Sequence, residues 1–152
     1  GSWPYAVDGT RNFIDHFHTC FVLKGLIKAE KIIDDKRITE SIARGIDYYV
    51  NNLFDSDELP KPFSKAPRLT VYRNELYDCA ECINLGTMIR GRFEALDRLV
   101  DNTIDKLLVS WWLKKGHFRS RRLLLGWDNV PMHRWGQSQV FRALCFRLYS
   151  EM

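Results

Sequence analysis

The chain has 152 residues, the length of one ordinary domain. It is 45% hydrophobic and 28% charged, which excludes a disordered chain, and no apolar run approaches the ~18 residues of a membrane span. The formal charge of +4, from 23 basic and 19 acidic residues, is too mild to point to nucleic acid, and no nucleic-acid partner is expected.

The opening "GSWPYAVDGTRN" has neither a charged segment nor an apolar one, so no signal peptide is expected in it. Three of the four cysteines, Cys20, Cys79, Cys82 and Cys145, lie in apolar helical stretches. They read as reduced thiols, and a cytoplasmic location is the expectation. Aromatics make up 13% of the chain, with five tryptophans. Such residues fill cores but also line clefts for sugars and other rings.

The first predicted helix runs from about Phe13 to Ile33, with Phe13, Ile14, Phe17, Phe21, Val22, Leu26 and Ile27 near helical spacing. "DDKR" ends it, and a second helix follows from about Ile38 to Leu53. The connection "FDSDELPKPFSKAPRLTVY" carries Pro60, Pro62 and Pro67 and reads as loop, with a short extended piece at "RLTVY". A third helix is predicted from Asn74 to Ile89 and a fourth from Arg92 to Trp112. "KKGHFRSRRLLLGWDNVPM" reads as a second long loop, its alternating "HFRSRRLLL" forming two small strands. A fifth helix runs from Arg134 to Tyr149. The fold class is therefore all-α in a single domain over 1–152, with an inner layer of odd helices and an outer layer of even ones.

A weak internal repeat supports the layers. Each odd helix follows an aromatic-rich loop, and Asp15…His18 has counterparts at Asp78…Glu81 and Trp135…Ser138, at spacings of 63 and 57 residues.

Several polar groups are candidates for chemistry. Asp15 and His18 share a helix face at i, i+3. They read either as a ligand-binding or acid–base pair or as a structural pair fixing the preceding loop. His16 points away from His18 and reads as an interhelical hydrogen-bonding residue. Asp78 and Glu81 form a carboxylate pair able to divide into acid and base. "CAEC", Cys79 to Cys82, has metal or redox spacing but lies inside an apolar helix, so packing cysteines are expected and no metal or cofactor. Trp127, Asp128, His133, Arg134, Trp135 and Gln137 make the densest aromatic–polar cluster, which reads equally as a sugar platform or as loop packing. The basic group Lys114, Lys115, His117, Arg119, Arg121 and Arg122, joined by Arg68 and Arg73, is either a solvated hairpin or a seat for an anion.

The stretches "GSWPYAVDG…FIDHFHTCFVLKGL", "PKPFS…PRLTVYRNELYDCAECINL" and "FRSRRLLLGWDNVPMHRWGQSQVFRAL" resemble the C-terminal half of α/α-toroid proteins of bacterial and archaeal polysaccharide biosynthesis, of the six-hairpin glycosidase and terpenoid-cyclase type. The resemblance spans about Trp3 to Tyr149. It implies a partial toroid with loops gathered at one end, and either a missing N-terminal half or self-association through exposed helix flanks. The leading expectation is a carbohydrate-active or glycan-binding domain with its substrate in an aromatic and acidic funnel. Asp78, Glu81, Asp15 and His18 would be the catalytic group. Trp3, Tyr5, Tyr72, Arg73, Tyr77, Trp127, Asp128, Arg134, Trp135 and Gln137 would bind substrate. The alternative is a non-enzymatic helical scaffold. An isoprenoid-cyclase chemistry has little support, since the one acidic doublet, Asp34-Asp35, lies in an outer turn.

Overall fold

The computed structural model describes residues 1–152. The chain forms five α-helices: α1 (His16–Glu30), α2 (Lys36–Asn52), α3 (Leu76–Met88), α4 (Glu94–Lys106) and α5 (Ser138–Tyr149). Single π-helical turns, Leu107–Trp111 and His133–Gln137, extend α4 and precede α5. No helix is long and apolar enough to cross a membrane.

The all-α toroid expected from the sequence is corrected by seven short strands in three small antiparallel sheets, which make the fold mixed α and β. β1 (Ile14–Asp15) pairs with β2 (Phe63–Lys65). β3 (Tyr72–Glu75), β6 (Arg121–Leu123) and β7 (Trp127–Asp128) form a three-stranded sheet, and β4 (Trp112–Leu113) pairs with β5 (His117–Phe118). The two strands foreseen in "HFRSRRLLL" exist as β5 and β6, but they belong to different sheets. Most of these strands hold only two or three residues, too few for a period of two to show in the sequence.

The sheets zip each loop onto the helix before it in space. The first backbone N–H of α1, at His16, donates to Pro62 O, and that of α3, at Leu76, donates to Ser120 O, both at 2.9 Å. Each bond satisfies one of the amide groups that a helix start leaves without a partner. These equivalent bonds lie sixty residues apart, which sets the register of the repeat. Asp15 therefore corresponds to Glu75 and Phe17 to Tyr77, and the expected match of Asp15…His18 with Asp78…Glu81 is out by three residues. Such a slip is easy to make, because a helix returns to nearly the same face after three or four residues.

The helices form two layers. α3 packs between α1 and α5, while α2 covers α1, α4 covers α3, and α2 touches α4. α2 and α4 are strongly amphipathic, as outer helices must be. α3 is buried at eleven of its thirteen positions and sits at the centre of a 22-residue apolar core. Its small residues, Cys79, Ala80, Cys82 and Gly86, let its neighbours approach closely. A Cβ built on Gly86 would lie 2.4 Å from Val100 Cγ2 on α4. Valine is stiff at χ1 and cannot swing aside without cost. Gly86→Ala is expected to destabilise the fold by about 1–3 kcal/mol through overpacking, read as a lower urea midpoint with an unchanged slope.

Candidate functional site

One open groove of about 960 Å³ runs along the side of α3 left uncovered between α1 and α5. Helical spacing builds its walls. α1 supplies Phe21, Lys24 and Lys28, with Lys31 at its C-cap; α3 supplies Tyr77, Glu81, Asn84 and Met88; α5 supplies Gln139, Arg142 and Phe146. Successive residues on each helix are three or four apart, so each set lines one face.

At the end nearest the sheets, rings from three helical segments form a row. Phe21 lies 5.6 Å from Phe17, Phe17 lies 5.2 Å from Tyr77, and Tyr77 stacks on Trp135 at 5.1 Å between ring centroids. Phe17 and Tyr77 are each the second residue of their helix, so the repeat brings them side by side. The π-helical turn before α5 carries Trp135 to the same level. The two ends of the row, Phe21 and Trp135, are 63% and 56% exposed, and the Lys24 ammonium lies over the Phe21 ring, 5.7 Å from its centroid.

The acids lie along α3. Glu81 is 2% exposed and ion-paired with Lys24 across the groove floor. Asp78 is 5% exposed and does not line the groove. Burial pushes its carboxyl well above the usual carboxylate range, and the negative charges of Glu75, Asp15 and Glu81 push it further, outweighing Arg121. It therefore holds a proton more readily than an ordinary surface aspartate does. Burial, with Glu81 nearby, raises the Tyr77 hydroxyl to about 12, so it stays a hydrogen-bond donor. Asn84 is buried on the floor, and its Nδ2 has no acceptor.

The remaining sequence candidates are held in structural roles or lie apart. Asp15 caps α1, accepting from the His18 backbone N–H at 2.6 Å and pairing with His18 Nδ1 at 2.7 Å. Tyr5 stacks on Phe13 beside His18. The Trp3 ring packs against Gly45 of α2, on the far side of α1's layer. Tyr72 lies under the Arg121 guanidinium, and Arg73 is exposed on β3. Trp127 packs edge-on against Trp111 and under Arg119. Asp128 accepts from the Val130 N–H at 3.0 Å and closes a turn. Gln137 spends both ends of its amide on Phe118, at 3.0 and 2.9 Å. Arg134 is exposed in the turn beside Trp135. Of the expected platform, only Tyr77 lines the groove with Glu81, and Trp135 adjoins it by stacking on Tyr77.

The basic cluster seen in the sequence is largely consumed by the fold. Arg121 binds Glu75, Arg122 binds Asp57, and Arg119 holds Asn129 and the Ser110 carbonyl. Lys28, Lys31 and Arg142 line the groove over α3 without an acidic partner. These, with Phe17, Phe21, Lys24 and Asn84, were missed in the sequence reading, although Phe17, Phe21, Lys24 and Lys28 stand at i, i+4, i+7 and i+11 on the first helix. Cys79 and Cys82 are buried free thiols within the core, and no group of three or more ligating side chains could hold a metal ion.

Set against known protein families, characterised proteins and solved structures, the chain matches none. With the fold mixed rather than all-α, nothing supports the six-hairpin glycosidase architecture or the polysaccharide-biosynthesis role that the resemblance implied.

His16 has a separate, structural role. It is fully buried, its Nε2 lies 2.8 Å from the Tyr49 hydroxyl on α2, and burial lowers its pKa to about 3. The unfolded chain binds a proton at His16 near pH 6.5, but the folded chain does not until about pH 3. Stability from this group is thus present above pH 6.5 and lost as pH falls. Asp78 contributes a slope of opposite sign, shared by wild type and variant, so a difference between them isolates His16. Relative to His16→Asn, the wild type is expected to lose up to about 1.4 kcal/mol per pH unit between pH 6 and 4. Urea denaturation across that range checks it, and a constant difference between the two proteins would refute the assignment.

Proposed function

We propose that the chain binds a carbohydrate in the groove over α3, with sugar rings against the exposed rings of Phe21 and Trp135. The observation that carries this reading is the continuous row Phe21, Phe17, Tyr77 and Trp135 at the mouth of the groove. Flat apolar faces complement the C–H faces of a sugar ring, and the polar groups beyond them, Glu81, Asn84 and Gln139, can read hydroxyls. The groove volume, at the upper end for small-ligand sites, suits an oligosaccharide better than a single sugar. Binding is favoured over hydrolysis because Lys24 engages Glu81 and Asp78 does not line the groove. The free thiols fit a protein of a reducing compartment such as the cytoplasm.

Trp135 makes the test direct. Titration with oligosaccharides should change tryptophan emission, and Trp135→Ala or Phe21→Ala should weaken binding about tenfold, equivalent to about 1.4 kcal/mol. No binding by the intact chain to neutral or acidic oligosaccharides would sink the carbohydrate reading.

A second reading, a helical module that assembles with its own kind, rests on α5. Phe141, Cys145 and Leu148 form an exposed apolar strip along it. Phe141 is 70% exposed. Where α2 covers α1 and α4 covers α3, no outer helix covers α5. We read this strip as a contact between two copies of the chain. Sedimentation is expected to show a dimer that Phe141→Glu converts to monomer, while a wild type that stays monomeric at high micromolar concentration rules it out.

A further inference from the structure

The groove is divided along its length, and the far half has a chemistry the aromatic row does not use. Beyond Tyr77 the walls carry Lys24, Lys28, Lys31 and Arg142 against a single carboxylate, Glu81. Lys24 is committed to Glu81. Four cations less one acid leave +3 in one groove, on a chain whose whole formal charge is +4. Elsewhere seven arginines, Arg37, Arg90, Arg92, Arg98, Arg121, Arg122 and Arg147, form ion pairs. Lys28, Lys31 and Arg142 form none, and all three are exposed. Below them the buried Nδ2 of Asn84 donates to nothing. A buried donor without an acceptor is uncommon and calls for an explanation. Unpaired cations converging from two helices above an orphaned donor are complementary to an acceptor-rich, negatively charged group.

We infer that the groove takes an acidic oligosaccharide, whose rings stack at Phe21 and Trp135 and whose carboxylate or sulfate groups lie between Lys28, Lys31 and Arg142 over Asn84. This rests on the carbohydrate reading and adds the class of sugar. Gln139 and Ser150, from α5, supply neutral polar groups along the same wall. No glycine-rich turn for cradling a phosphate chain lies at the groove, so the anion is read by side chains spaced along it rather than by a backbone nest.

The test uses the intact chain and four probes: a neutral glucose hexamer, a uronic-acid hexamer, a sulfated hexamer and inorganic tripolyphosphate. Affinities come from calorimetry at low and moderate salt. The expected result is at least tenfold tighter binding of one acidic hexamer than of the neutral one at low salt, a gap that narrows as salt rises. The exposed triple variant Lys28→Gln, Lys31→Gln, Arg142→Gln should erase that gap and leave neutral binding within about twofold. Asn84→Asp, isosteric but repelling, should weaken the acidic hexamer more than the neutral one. Which acidic hexamer binds tighter distinguishes carboxylate from sulfate. Equal binding of acidic and neutral hexamers overturns this inference and leaves the carbohydrate reading standing. Failure of every hexamer overturns both. Tripolyphosphate binding as tightly as the hexamers shows attraction by charge alone and overturns it too, as does an acidic preference that survives in the triple variant.

Discussion

Burial of α3 is the constraint on which the rest of the molecule depends. A helix covered by neighbours around most of its circumference ought to be apolar throughout, yet "LYDCAECINLGTM" carries Asp78, Glu81, Asn84 and Thr87. Each polar group inside a protein needs a partner, a lost charge or an opening to solvent. Thr87 bonds back to the Ile83 carbonyl at 2.7 Å. Glu81 takes Lys24 from α1. Burial favours the protonated form of Asp78. Asn84 alone is left with an orphaned donor, and it sits where α1 and α5 fail to close over α3. The groove and part of the polar content of α3 are thus one feature: the side of the central helix that carries Glu81, Asn84 and Thr87 is the side its neighbours leave open.

What sets the separation of α1 and α5 is the way the loops are tied down. Each loop ahead of an inner helix is stitched to the preceding inner helix by a short sheet and by a bond to that helix's first amide. Asn74, fully buried, adds a second tie by donating to Asp55 Oδ2 and Pro60 O, both at 2.9 Å. These ties fix the starts of α1 and α3 at one level, and Gln137, bonded at both ends of its amide to Phe118, holds the start of α5 against the second loop. The same level holds Phe17, Tyr77 and Trp135, so the aromatic row follows from the backbone bonding pattern rather than from any local motif.

Much of this was legible in the sequence, and the remainder failed for identifiable reasons. The five helices were readable because ten or more residues at helical period leave a strong signal, and His16 stood apart from His18 by geometry alone. Two-residue strands leave no such signal, so the fold class came out as all-α. The repeat was visible, but its register was not, since a shift of three residues keeps polar groups in helical phase. Only the paired bonds at His16 and Leu76 determine it. The basic cluster misled because the partners of Arg121 and Arg122, Glu75 and Asp57, lie 46 and 65 residues away in the chain. Charge in a sequence says nothing about which charges the fold will cancel. Conversely, the stripe Phe17, Phe21, Lys24 and Lys28 was in plain view and passed for an ordinary core-and-surface helix, because the empty space it faces is a property of three helices together.

Unpaired cations in a concave site repel one another, and their persistence needs a physical account. Two features lower the cost. Lys28 lies in the last turn of α1 and Lys31 at its C-cap, where the carbonyl end of the helix favours positive charge. Lys24 is drawn down to Glu81, which removes the cation nearest the floor from the repulsion and neutralises a carboxylate that would otherwise sit buried beside Asp78. A buried pair of this kind contributes little net stability, because desolvation offsets its attraction. Its effect is on the pattern of charge: with Glu81 silenced, the groove offers an incoming ligand no acid of its own to repel an anion, and the aromatic end remains neutral. The gradient from rings to cations along one wall is therefore maintained by the ion pair at its middle.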